Sequence, residues 1–119
     1  LRVEAGAVSF EIELGDTPNA RALAAAAPFE SQAQTWGDEV YFSTPVSAKL
    51  EPGAKQVVDP GTVCFWTQGA ALALPFGRTP ISTDDKPKLA NPCNVLGFLP
   101  DFASLRKIRS GDKVRVEKA

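Results

Sequence analysis

The sequence predicts a mainly β protein, a closed antiparallel barrel with two short helices, and three observations carry that expectation. Strand-length apolar runs recur along the 119 residues, turn signatures built on Pro and Gly separate them, and only two stretches show helical spacing. A single domain, residues 1–119, follows from the length, because a chain of this size buries about two-thirds of its unfolded surface in one core. The hydrophobic share of 44% and charged share of 23% are ordinary for a folded protein and exclude both a disordered chain and a membrane protein. The longest apolar run, Gly69–Phe76, is far shorter than the roughly 20 residues that span a bilayer.

Val8, Phe10, Ile12 and Leu14 alternate with polar residues, so 8–14 reads as a strand with one buried face. Asp16 or Thr17 then caps a helix, with Pro18 near its first position, where a missing N–H costs nothing. Ala20, Leu23, Ala24 and Ala27 follow at helical spacing, and Pro28 ends the run. Segments 29–35 and 39–43 read as a hairpin turned at Trp36-Gly37-Asp38. Glu51-Pro52-Gly53 and Asp59-Pro60-Gly61 are turns in which Pro presets φ and Gly accepts a positive value. Val57-Val58 between them, 63–67 after them, and 71–76 up to Gly77 extend the β pattern. A polar loop is expected over 82–92, β structure again over 94–99, and an Asp101-capped helix over 102–108. Ser110-Gly111-Asp112 turns into a terminal strand, 113–117.

Net charge is −1, unevenly spread: residues 106–119 carry six bases against two acids. That tail lacks interleaved aromatics, and the chain as a whole is slightly acidic, so nucleic acid is not an expected partner. Histidine is absent, which removes the usual general base and metal ligand near neutral pH. Cys64 and Cys93 are too few for a disulfide framework or a four-ligand zinc site, and no carboxylate spacing suggests another metal. Two free thiols in a reduced, cytoplasmic protein are expected. The chain starts at Leu1 and contains no methionine, so a processed or trimmed start is expected, without a signal-peptide pattern.

Five blocks in order bear a likeness to one family. They are Ala27-Pro28-Phe29-Glu30, Trp36-Gly37-Asp38-Glu39-Val40-Tyr41-Phe42, the Pro60-Gly61 turn before an aromatic strand, Phe76-Gly77-Arg78-Thr79-Pro80 and Asn94-Val95-Leu96-Gly97. Together they resemble small prokaryotic proteins with a cyclophilin-like β-barrel fold, most of them functionally uncharacterised. The resemblance covers nearly the whole chain. It implies a cyclophilin-like closed antiparallel barrel capped by two short helices, and no established reaction.

Cyclophilins proper are peptidyl-prolyl isomerases, whose active strand carries an arginine, a phenylalanine five residues on, and then a glutamine three further followed by glycine. Phe65, Gln68 and Gly69 match the second part, but Pro60 stands where the arginine belongs. The later tryptophan and histidine are missing too. Fold likeness alone does not carry that activity.

Arg78, in a glycine-flanked loop, has the fork geometry to clamp a carboxylate or phosphate, or to pair with Asp38, Glu39 or Asp59 at the rim. If both lie in a strand, the adjacent acids Asp38 and Glu39 point to opposite faces and cannot act on one atom. Tyr41 and Trp66 combine apolar bodies with polar tips suited to a half-open pocket. No Ser or Thr has a recognisable base partner, so no catalytic residue is assigned. The reading is therefore a non-catalytic module that holds a small molecule or peptide at Trp36, Glu39, Tyr41, Trp66 and Arg78. It needs no cofactor, metal, nucleic acid or membrane, and the sequence specifies no oligomeric state. The alternative is an enzyme: a prolyl isomerase, or a subunit of an amide-hydrolysing system.

Overall fold

The computed structural model describes residues 1–118 and is mainly β. It opens with an unanticipated hairpin, β1 (Arg2–Ala5) against β2 (Val8–Glu11), turned at Gly6, whose φ is 58°. Only Val3 and Ala5 are buried along β1, a repeat too short to stand out in the sequence. The expected strand over 8–14 divides at buried Ile12 into β2 and β3 (Glu13–Leu14), and the two pieces join different sheets.

Helix α1 (Pro18–Ala26) forms as its sequence dictates. The Thr17 hydroxyl accepts the Ala20 N–H at 3.2 Å, one of the donors that a helix start leaves unpaired. Ala20 and Leu23 bury one face. The helix stops at Ala27, whose peptide bond to Pro28 is cis.

Segment 29–35 also crosses between sheets. β4 (Phe29–Gln32) pairs with β11 (Lys113–Glu117), whereas β5 (Gln34–Thr35) pairs with β6 (Glu39–Ser43). The corner is Ala33, fully buried, whose N–H donates to Asp112 O at 2.8 Å. β7 (Lys55–Val57), β8 (Thr62–Trp66) and β9 (Ala71–Pro75) follow, with a 3-10 turn at Thr67–Gly69. β10 (Lys88–Phe98) is longer than expected and takes in the second half of the presumed polar loop. The second expected helix is a 3-10 segment, Phe102–Lys107. Asp101 does not cap it through its side chain; Ser104 Oγ donates to the Asp101 carbonyl instead.

The result is two open sheets and no closed barrel. One has the order β2-β1-β11-β4; the other has β3-β10-β8-β9-β6-β5, with β7 paired to β10. The chain passes from one sheet to the other at Ile12 and Ala33, which belong to no strand but keep backbone hydrogen bonds, Ile12 N–H to Leu1 O and Ala33 N–H to Asp112 O, each at 2.8 Å. Binary patterning shows strand character along 8–14 and 29–35 but does not show where a strand changes sheet, which explains why closure was expected.

The main core fills the space between the sheets and beneath α1. Val40, Phe42, Val63, Phe65, Leu72 and Leu74 enter it from the larger sheet, each at most 1% exposed. Because strand neighbours point to opposite faces, the alternate residues of β6, β8 and β9 emerge on the far side. There a second, smaller cluster forms from Val58, Cys64, Ala73, Leu89 and Cys93, with Tyr41 and Trp66 packed against it. No helix among the described residues is long and apolar enough to cross a membrane.

Candidate functional site

The far face of the larger sheet carries a cavity of about 270 Å3. Register explains its shape. Tyr41 pairs with Ala73, and Ala73 pairs with Cys64, so a row of large, small and small side chains crosses three strands and leaves a hollow beside the tyrosine. Trp66, two residues along β8 from Cys64, forms one wall. Trp36 reaches in from the β5–β6 turn, and Leu89, Ala90 and Cys93 close the side nearest β10.

Both tryptophan walls are held in place. Trp66 Nε1–H donates to Asn91 Oδ1 at 3.1 Å. Gly69 lies flat against the Trp66 ring: a Cβ there would stand 2.4 Å from two ring carbons, so any larger residue would displace the indole. Trp36 is fixed through its backbone, which donates to Glu39 O at 3.0 Å across the turn. Gly37 has φ of 59°, and a Cβ on it would meet Pro80 at 2.8 Å, so glycine is required where the turn packs on the 78–80 loop.

Of the five residues that the sequence singles out, the structure brings Trp36, Glu39, Tyr41 and Trp66 together around one cavity. Arg78 is not among its walls. Its side chain is exposed and donates to Ser82 O at 3.3 Å, and the expected rim pairs form elsewhere: Asp38 with Arg106 at 3.5 Å and Asp59 with Lys86 at 3.1 Å. Arg78 serves the site through its carbonyl, which accepts the Asp38 N–H at 2.9 Å. Asn91, Leu89, Ala90 and Cys93 escaped the sequence reading. They lie where Pro87, Asn91 and Pro92 suggest a loop, and only Leu89 and Cys93, apolar side chains inside a polar stretch, hint otherwise.

Glu39 is the unusual member. It is only 7% exposed, and its Oε1 is buried without a hydrogen-bond partner among the described residues, which also supply it no ion pair. Burial pushes its carboxyl from 4.5 up to about 7. An isolated charge in apolar surroundings loses hydration that nothing replaces. Burial likewise raises the Cys93 thiol to about 12, with Glu39 adding to the effect, and raises Cys64 well above its ordinary value, with Cys93 and Glu39 contributing. Both thiols are free and buried. They stay protonated, and a thiol rather than a thiolate is a poor nucleophile.

A carboxyl titrating near neutrality can exchange a proton with a bound molecule. Beyond Glu39 the polar side-chain groups of the walls are the Tyr41 phenol, the indole N–H groups and a protonated thiol, and Glu39 Oε1 is hydrogen-bonded to none of them. No group of three or more His, Cys, Asp or Glu side chains that could hold a metal ion occurs among the described residues. Phe65, the residue that matches the isomerase pattern, is fully buried in the main core on the opposite face of the sheet and cannot touch a substrate.

The architecture defines a small two-sheet domain with an aromatic pocket on the outer face of its larger sheet. The chain belongs to the cyclophilin-like family, whose model matches residues 1–117. It is similar to a hypothetical protein of Archaeoglobus fulgidus with a solution structure, at 39% identity and a TM-score of 0.85. That match covers 99% of this chain and 92% of the archaeal one. No curated protein matches the sequence.

Proposed function

We propose that this protein is a binding module that holds a small molecule or a peptide side chain in the pocket formed by Trp36, Glu39, Tyr41 and Trp66. The observation that carries this reading is the buried, unpartnered Glu39 carboxyl set among aromatic walls. Leaving a charge without a partner costs stability, and structures keep such groups where a ligand makes use of them. Two tryptophans in the walls make the site self-reporting. Intrinsic fluorescence and thermal-shift screening against metabolites and short peptides should therefore find ligands that move both the emission and the melting temperature. A screen in which nothing moves either one removes the reading.

The same proposal treats the module as non-catalytic. A protease-coupled prolyl isomerisation assay should return the uncatalysed rate, and acceleration by the purified protein would restore the isomerase reading. A reducing, cytoplasmic setting is part of the proposal and draws support from the two buried free thiols.

A further inference from the structure

Resting on the pocket reading above and deepening it, we propose that the ligand is an organic cation whose alkylated ammonium head sits between Trp36, Tyr41 and Trp66 and pairs with Glu39. Four features of the site converge on that chemistry. Three aromatic rings surround one space, and the negative face of an aromatic ring attracts a cation held within about 6 Å of it. The carboxylate is the one formally charged side chain in the walls, so no wall side chain offers an anion a balancing positive charge. A neutral apolar guest would leave Glu39 Oε1 without a partner, and a neutral hydrogen-bond donor would leave the carboxylate charge uncompensated. Finally, the polar inventory is short. A bare ammonium carries three N–H donors and needs an acceptor for each, whereas the walls offer few and Asn91 Oδ1 is already engaged by Trp66. An alkylated ammonium spreads the same charge over methyl groups and asks for no hydrogen bond. A cavity of about 270 Å3 has room for such a head, and because it is half open, the rest of the ligand can extend into solvent.

Capture should also depend on pH. With its carboxyl near 7, Glu39 is largely protonated below neutrality, and a cation then displaces a proton in order to bind. The other titratable groups in the pocket are Tyr41, Cys93 and, beneath it, Cys64. Both thiols are raised and stay neutral through the range in question. Affinity for the cation should accordingly rise up to about pH 7 and level off above it.

The test compares choline chloride and tetramethylammonium chloride with 3,3-dimethylbutan-1-ol, the uncharged isostere of choline, at constant ionic strength. Tryptophan emission and the indole N–H signals of Trp36 and Trp66 report binding. The expected result is a choline affinity at least tenfold above that of the isostere at pH 8, with a fall of about tenfold at pH 6, where the ionised fraction of Glu39 drops by that factor. Glu39→Gln should abolish the preference for the cation while retaining weak binding of the isostere. The wild-type comparison decides the matter even if that variant does not fold. A short peptide carrying trimethyllysine, run beside choline, separates a free cation from a side chain as the natural source of the head. Equal affinity for choline and its isostere overturns the cation proposal and leaves the pocket reading standing. Indole signals that respond to none of these probes overturn the cation proposal, and the metabolite and peptide screen then decides the pocket reading by itself.

Discussion

Two buried polar residues, Asn94 and Glu39, lie on opposite faces of the same sheet, and their surroundings differ in one respect: partners. Asn94, fully buried on the inner side of β10, donates from Nδ2 to Asn19 Oδ1 and to the Lys49 carbonyl, each at 2.9 Å. Its Oδ1 accepts the Glu51 N–H at 2.7 Å, and Glu51 Oε2 in turn accepts the Asn19 N–H at 3.1 Å. That network ties α1 and the backbone at Lys49 and Glu51 to the sheet, with Asn19 Nδ2 its one buried side-chain atom lacking a partner among the described residues. Glu39 has burial of the same order, a full charge to lose, and no partner for its Oε1. The contrast separates a polar group that stabilises the fold from one that the fold tolerates at a cost, and a tolerated cost points to function.

Asn94→Ala should have the largest effect on stability. It removes three hydrogen bonds, the one to Asn19 buried and the other two part-buried, and leaves a cavity at a fully buried position, so urea unfolding should register a loss of about 4 kcal/mol. A loss below about 1 kcal/mol would mean that the network is ornamental and the comparison empty.

Glu39→Gln should act in the opposite direction, and with a pH signature. The folded carboxyl value, about 7, is above its ordinary 4.5, so between those values the native state holds a proton that the unfolded chain has released. Stability of the wild type therefore falls as pH rises through that window, and the penalty is fully developed above about pH 7. A shift of this size corresponds to a term on the order of 3 kcal/mol. Unfolding curves at pH 4 and pH 8 should show the variant gaining on the wild type by that order as pH rises, whereas parallel pH profiles would show that Glu39 is not desolvated.

Asn91→Ala is the mildest change. It deletes the acceptor of the Trp66 indole, which should lower stability by about 1 kcal/mol and alter Trp66 emission while leaving Trp36 emission unchanged. An unaltered Trp66 signal would show that Gly69 alone holds the ring.

Much of this was legible in the sequence because strand periodicity is local. The alternation in 39–43 and 63–67 shows which side chains share a face, and the polar-tipped aromatics Tyr41 and Trp66 on that face line one cavity in the structure. Three things were not local. The corners at Ile12 and Ala33 depend on which sheet each half of the strand finds, so a closed barrel was expected where two sheets form. The site's third wall was hidden because Asn91 and Pro92 resemble loop residues; they sit in β10 between its two contacts with β7, Lys88 with Val57 and Cys93 with Lys55, where the register shifts. Proline is tolerated in a strand at such an irregularity, since no ladder N–H is required of it. Arg78 illustrates the third limit: charge and loop position suggested a ligand contact, but nothing in the pattern shows which way an exposed side chain turns.

Glu39 lines the site as a buried carboxyl whose Oε1 has no protein partner among the described residues. Carbon-13 NMR titration of the glutamate side-chain carboxyls, with Glu39 assigned by the Glu39→Gln variant, measures this directly. The expected midpoint lies near 7 and moves downward when tetramethylammonium is added. A midpoint at the ordinary 4.5, indifferent to the cation, would contradict it.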